Sequence, residues 1–128
     1  MAPIHDAVID GDLDQVKRLT TADPALVNQG SDHWGEVVGI YGYLGALITP
    51  LHLASMRSNH LEMVTYLLDH GADIHSKDAE GKDALHHATY DGHLAVISLL
   101  VERGANVRNG SFFSAIRRGH LPVVSLLL

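Results

Sequence analysis

The sequence predicts an all-α solenoid, a stack of helix-turn-helix units, and three observations carry that prediction. The first is self-similarity: "TPLHLASMRSNHLEMVTYLLDHGADIHSKDAEG" from Thr49 is followed by "DALHHATYDGHLAVISLLVERGANVRNG" from Asp83, with Leu51 and Leu85 equivalent and 34 residues apart. A repeat of that length is the mark of stacked supersecondary units. The second is the recurrence of apolar residues at helical spacing inside each unit, closed each time by a glycine. The third is bulk composition. With 128 residues, 46% hydrophobic and 19% charged, the chain can bury a real core and is too apolar to stay disordered.

Taken in chain order, residues 1–28 form the first unit, where "APIHDAVIDGDLDQVKRL" aligns through Pro3, Ile4, His5, Ala7 and Gly11. Residues 29–48 are an insertion. In the second unit, 49–82, Thr49 is suited to cap a helix and Pro50 to open it, where the missing N–H costs nothing. Leu51 and Ala54 share one face, and Leu61, Val64, Leu67 and Leu68 mark the buried face of a second helix. Gly71 is a left-handed stop, with Gly104 in the same place after "LLVER" in the third unit, 83–109. The fourth unit, 110–128, is degenerate and truncated, aligning through Ala115, Gly119 and His120. It stops at "VVSLLL" with no glycine and no polar cap, as expected of a fragment of a longer array or of an end covered by a partner or a second copy. One helix pair cannot bury its own apolar face, so neighbours stack into an elongated domain with a concave side.

The order of features in each unit is an apolar-His-x-Ala start, a Gly-His or Asn-His turn, a Leu-rich run and a closing Gly-Ala-Asp or Gly-Ala-Asn. This resembles the ankyrin repeat, with its period of about 33 residues and its T-P-L-H-x-A signature. The resemblance implies about four helix-turn-helix units with β-hairpin or loop connections. It also implies binding rather than catalysis, with the ends of the first helices and the hairpin tips as the contact surface. Several departures stand out. Ile4 and Leu51 are 47 residues apart, about 14 more than the period, and that surplus is the insertion. The second unit has one extra residue between its helices, so a small bulge is expected there. Only 27 residues separate Ala88 from Ala115, too few for the usual hairpin, and Phe112 and Phe113 replace the Leu-His pair.

Several function classes are disfavoured. A net charge of −6 offers no electrostatic basis for nucleic acid, and the adjacent pair Arg117 and Arg118 is too little to supply one. Without cysteine there is neither a disulfide framework nor a thiolate zinc site, which suits an intracellular, cytoplasmic protein. The acidic start "MAPIHDAVIDGDLDQVK" is unlike a signal peptide, and no segment approaches a membrane span. Hydrolase elbows, phosphate loops and dinucleotide fingerprints are absent, so no enzyme and no cofactor are expected.

The ten histidines invite a metal reading that their positions mostly explain. His5, His52 and His86 occupy the motif histidine, which in the family ties loops through the backbone; His93, His120 and the shifted His60 occupy the turn before the second helix. His33, His70, His75 and His87 lie outside those slots. No H-E-x-x-H and no cysteine pair proposes a converging ligand set, so no metal site is expected and a His-dependent metalloprotein is the outlying alternative. The resemblance also raises hydroxylation of a loop residue, usually Asn, for which Asn28 fits while His75 and Arg108 hold the same slot in the next units.

What remains for recognition are the ends of the first helices, Ile9 and Asp10, Met56 and Arg57, Tyr90 and Asp91, and Arg117 and Arg118, with Ala79, Glu80 and Lys82 at the hairpin tip. Aromatics, Met and Arg are enriched at protein interfaces, so a protein or peptide partner is expected. Asp10, Glu80 and Asp91 are equally well read as solvated charges. The insertion adds Trp34, Tyr41 and Tyr43 among glycines, each of which costs a helix about 1 kcal/mol. It either seals the open edge of the first units or supplies an aromatic anchor. Homo-oligomerisation through the insertion or the apolar C-terminal end is the alternative to a foreign partner.

Overall fold

A computed structural model describes residues 3–30, 48–56 and 60–107. Three helix pairs follow one another: α1 (Pro3–Ile9) with α2 (Leu13–Ala22), α3 (Pro50–Ser55) with α4 (Leu61–Asp69), and α5 (Ala84–Asp91) with α6 (Leu94–Glu102). A 3-10 helix, Pro24–Asn28, follows the first pair. Each helix packs on its own partner, α1 packs on α3 and α3 on α5, and α4 lies along α6. The first helices therefore form an inner layer and the second helices an outer one. No strand occurs among the described residues.

Capping explains where the helices begin. Thr49 Oγ1 accepts from the His52 N–H at 3.3 Å while His52 Nδ1 accepts from the Thr49 N–H at 2.9 Å, a reciprocal box closed by a histidine where Glu or Gln is usual. Asp83 caps α5 by accepting from the His86 N–H at 2.8 Å, and Asp12 caps α2 through Gln15. Two of the outer helices, α4 and α6, end alike. Gly71 and Gly104 adopt φ of 95° and 96°, a conformation glycine takes without strain. The next residues, Ala72 and Ala105, return their N–H groups to Leu67 and Leu100.

The core is one continuous cluster through all three pairs, from Ile4, Val8 and Val16 through Leu51, Leu53, Val64 and Leu67 to Leu85, Ile97 and Leu100. One expectation needs correction. Leu61 is 39% exposed, and Met63 joins Val64 and Leu67 in the buried face of α4. At about 100° per residue those three define an arc whose centre lies more than a quarter turn from Leu61, so Leu61 falls at its edge. Ile48, the last residue of the insertion, is fully buried and belongs to the core. Residues 31–47 of the insertion, with Trp34, Tyr41 and Tyr43, the stretch 57–59 where a bulge is expected, and the fourth unit with Phe112 and Phe113 lie outside the described residues. No helix among the described residues is long and apolar enough to cross a membrane.

Candidate recognition surface

Between the second and third helix pairs the chain forms a finger, residues 76–82, built around one aspartate. The Asp78 N–H donates to the Lys82 carbonyl at 2.9 Å, and the Asp78 carbonyl accepts from the Gly81 N–H at 2.9 Å. Its carboxylate turns back on the same loop, where Oδ1 accepts from the Glu80 and Lys82 N–H groups at 2.9 and 3.0 Å. The other oxygen, Oδ2, accepts from His87 Nε2 of α5 at 2.9 Å. Burial pushes the Asp78 carboxyl up, but the bonds from His87 and the two backbone amides outweigh it and bring it down to about 2. A carboxylate ionised to that degree is acceptor only. His87 Nε2 therefore carries the proton.

A second histidine holds the base of the finger. His52 Nε2 donates to the Ser76 carbonyl at 2.8 Å, and its Nδ1 is already occupied as the acceptor of the α3 cap. Burial, with the nearby His87, lowers its pKa to about 4, so the ring is neutral in ordinary buffer. The rings of His52 and His87 meet edge to face with centroids 5.5 Å apart. His86 is half-buried, and its pKa is lowered by burial and then by His87.

The scaffold reading of the motif histidines holds at His5 and His52. His5 Nε2 bonds the Ile48 carbonyl at 2.9 Å, matching the bond of His52. The turn histidines act similarly across pairs: His93 Nε2 donates to the Met56 carbonyl at 2.8 Å. His60 is buried against Gly11, where an added Cβ would stand 3.1 Å from Nε2. Among the described residues no group of three His, Asp or Glu side chains could hold a metal ion. Asn28 links the loops of the first two units, Nδ2 donating to the Gly71 carbonyl at 2.9 Å and Oδ1 accepting from the Asp73 N–H at 2.7 Å.

Of the expected contact residues, Tyr90 stands clearest. It lies in the last turn of α5 and is 47% exposed. Lys82 at the finger tip is paired with Glu80 at 3.0 Å, both side chains facing solvent, an arrangement that contributes little to stability. Ile9 is half-buried and Asp10 exposed. Asp91 closes α5, with its side chain outside the described residues. Arg57, Arg117 and Arg118 lie outside them too, with Trp34, Tyr41 and Tyr43. Met56 is a correction, because it is only 8% exposed. Helix α3 ends at Ser55, so Met56 sits past it as the cap residue, whereas Tyr90 in the equivalent place remains helical because α5 runs on to Asp91, with Gly92 as its cap. Sequence reasoning set His87 outside the motif slots but gave it neither partner nor role. Its adjacency to a motif histidine hid it, and the only available signal was that Leu53 fills the same slot one unit earlier.

Comparison with known proteins decides the family. A model of ankyrin repeats, three copies, matches residues 4–111 and again 51–128. The chain belongs to the ankyrin repeat family. Among curated ankyrin-bearing relatives, the rice protein named probable E3 ubiquitin-protein ligase XBOS33 is 33% identical over 84% of this chain but only 18% of its own length. The human transient receptor potential cation channel subfamily A member 1 is 31% identical over 82% of this chain and 11% of its own. The mouse B-cell lymphoma 3 protein homolog is 36% identical over 63% and 19%. The chain thus spans about a fifth or less of the length of these relatives. Ankyrin repeats are protein-interaction modules, and the fold is in general non-catalytic.

Proposed function

We propose that this ankyrin domain is a non-catalytic recognition module that binds a protein or peptide along its inner-layer helix ends, the 76–82 finger and the 29–48 insertion. The observation that carries the reading is Tyr90: scaffold slots around it are buried, yet this large aromatic is kept 47% exposed at the end of an inner helix. Tyrosine in that setting offers contact area at low entropic cost and is a frequent binding hot spot. The relatives support the same division of labour, since a ligase, a channel and a lymphoma protein by name share this stretch. What they have in common is the scaffold. In a longer protein such as the plant ligases, the module would choose what is bound and leave the ligase activity to other segments. The lack of cysteine suits a reducing compartment, and we place the domain in the cytoplasm.

The test is selection of peptides from a random library against the intact chain, followed by affinity measurement with the Tyr90→Ala variant and a mass measurement for each. A loss of about tenfold or more in a folded, monomeric variant is the expected result. Undiminished binding by Tyr90→Ala would move recognition off this face. A chain that sediments as a dimer regardless of the substitution would favour self-association instead.

A further inference from the structure

The finger is held by two histidines, and only one of them serves the repeat scaffold. His52 caps α3 and bonds the Ser76 carbonyl, which is the duty of the motif histidine. His87 has no such duty. Leu53 fills its slot in the second unit and is fully buried, while Asp6 fills it in the first and is exposed, so the stack tolerates widely different side chains there. What His87 does is specific to this unit: its ring meets Asp78 Oδ2, the one carboxylate oxygen that is not spent on the backbone of the finger. The Asp78 side chain is only 3% exposed and that of His87 12%. If the ring were lost, a buried ionised oxygen would be left without its donor, and the carboxylate would regain hydration most simply by swinging outward. Oδ1 would then leave the Glu80 and Lys82 amides. Three residues after His87, on the same face of α5, stands Tyr90.

We propose that His87 is the positioning residue of the recognition finger, clamping Asp78 so that residues 79–82 keep one geometry relative to Tyr90. The clamp deepens, and rests on, the reading of the finger as part of the contact surface. It couples two otherwise separate pieces of that surface, a loop tip and a helix end, through one short bond. His52 bonds the other side of the loop, and the edge-to-face contact between the rings fixes the orientation of both.

The experiment is amide hydrogen exchange by NMR on the full chain. In His87→Leu, which supplies the residue type that the preceding unit accepts, the Glu80 and Lys82 amides should exchange about tenfold or more faster, the effect of losing a charge-assisted bond. Amides of α3 and α4 should keep their rates. His87→Gln, which can return a donor to Asp78, should restore protection, and Asp78→Asn should accelerate the same two amides without altering either helix sequence. Acceleration spread evenly over the domain, or none at the finger in both His87→Leu and Asp78→Asn, would overturn the clamp. The affinity of a library-selected peptide is measured alongside. A loss in His87→Leu that His87→Gln repairs supports the coupling to recognition; faster exchange with unchanged affinity upholds the clamp and overturns the assignment of the finger to the contact surface.

Discussion

The second and third helix pairs fill one plan with different chemistry, and the places where they differ are informative. Leu51 and Leu85 are both buried at the start of the inner helices, Ala54 and Ala88 both allow close approach, and Gly71 and Gly104 both end the outer helices. Those slots hold the stack. The cap changes from Thr49 to Asp83 without loss, because either side chain can accept the N–H three residues on. Where Leu53 becomes His87 and Met56 becomes Tyr90, a buried apolar pair gives way to a buried polar clamp and an exposed aromatic. Interchangeable chemistry marks scaffold, and a change of character at the finger side marks the part of the surface that distinguishes one unit from the next. One difference works against the third pair: Ser55 Oγ donates to the Leu51 carbonyl at 2.7 Å, while the buried Thr89 hydroxyl in the same slot has no partner among the described residues.

The strongest way to break the comparison is through the core. Leu51→Ala and Leu85→Ala each remove a fully buried side chain and should each cost about 2 to 5 kcal/mol in denaturant unfolding. If the two pairs unfold as one unit, the losses will be similar and the transitions single. A much milder Leu85→Ala, or a second transition, would show that the third pair opens independently, as repeat arrays do when an interface is weak.

Acid separates the pairs next. The folded-state pKa of His52 lies near 4, below the ordinary histidine value of 6.5, so the unfolded chain binds the proton first as the pH falls. The stability tied to neutral His52 is therefore complete above about 6.5 and is lost progressively down to about 4, with a total on the order of 3 kcal/mol. His86 shifts in the same direction. Replacing His52 by Gln should flatten the fall between pH 6.5 and 4, measured as the denaturant midpoint, more than His86→Gln does. Below that window Asp78 takes over. Its folded pKa is about 2 against 3.8, so its contribution is present above 3.8 and disappears as the pH falls through 2. A midpoint that falls equally in the wild type and in His52→Gln would contradict the assignment.

Much of this was legible in the residues, and for stated reasons. Thr49 and Pro50 predict the start of α3 because a hydroxyl acceptor and a preset φ each favour a helix start, and the box is found there. The glycine stops were readable because a positive φ disfavours most other residues. The roles of His5 and His52 followed from the family resemblance, and their carbonyl bonds match it. Local rules could not place Met56, since its burial goes with α3 ending two residues earlier in register than α5. Nor could they pair His87 with Asp78, nine residues apart on a loop and a helix. A spacing of nine has no meaning within either element; only the fold of the finger over α5 brings them together.

The smallest effect tests whether the first pair follows the same plan as the second. His5 donates to the Ile48 carbonyl as His52 donates to Ser76, but its Nδ1 is buried without a partner among the described residues. At His52 that atom accepts from the Thr49 backbone N–H and lies 3.1 Å from the Thr49 hydroxyl. The sequence position matching Thr49 is Ala2, whose side chain has no hydroxyl to offer. Thr49→Ala should therefore destabilise the domain by about 1 kcal/mol, the usual value of a helix cap. Ala2→Thr should act in the opposite direction and add about 0.5 kcal/mol, because a hydroxyl there can cap α1 and donate to His5 Nδ1. Both are read from denaturant midpoints at pH 7. Opposite signs would establish that the first unit follows the plan of the second; an inert Ala2→Thr beside a damaging Thr49→Ala would mean that a cap before α1 contributes less than the one before α3.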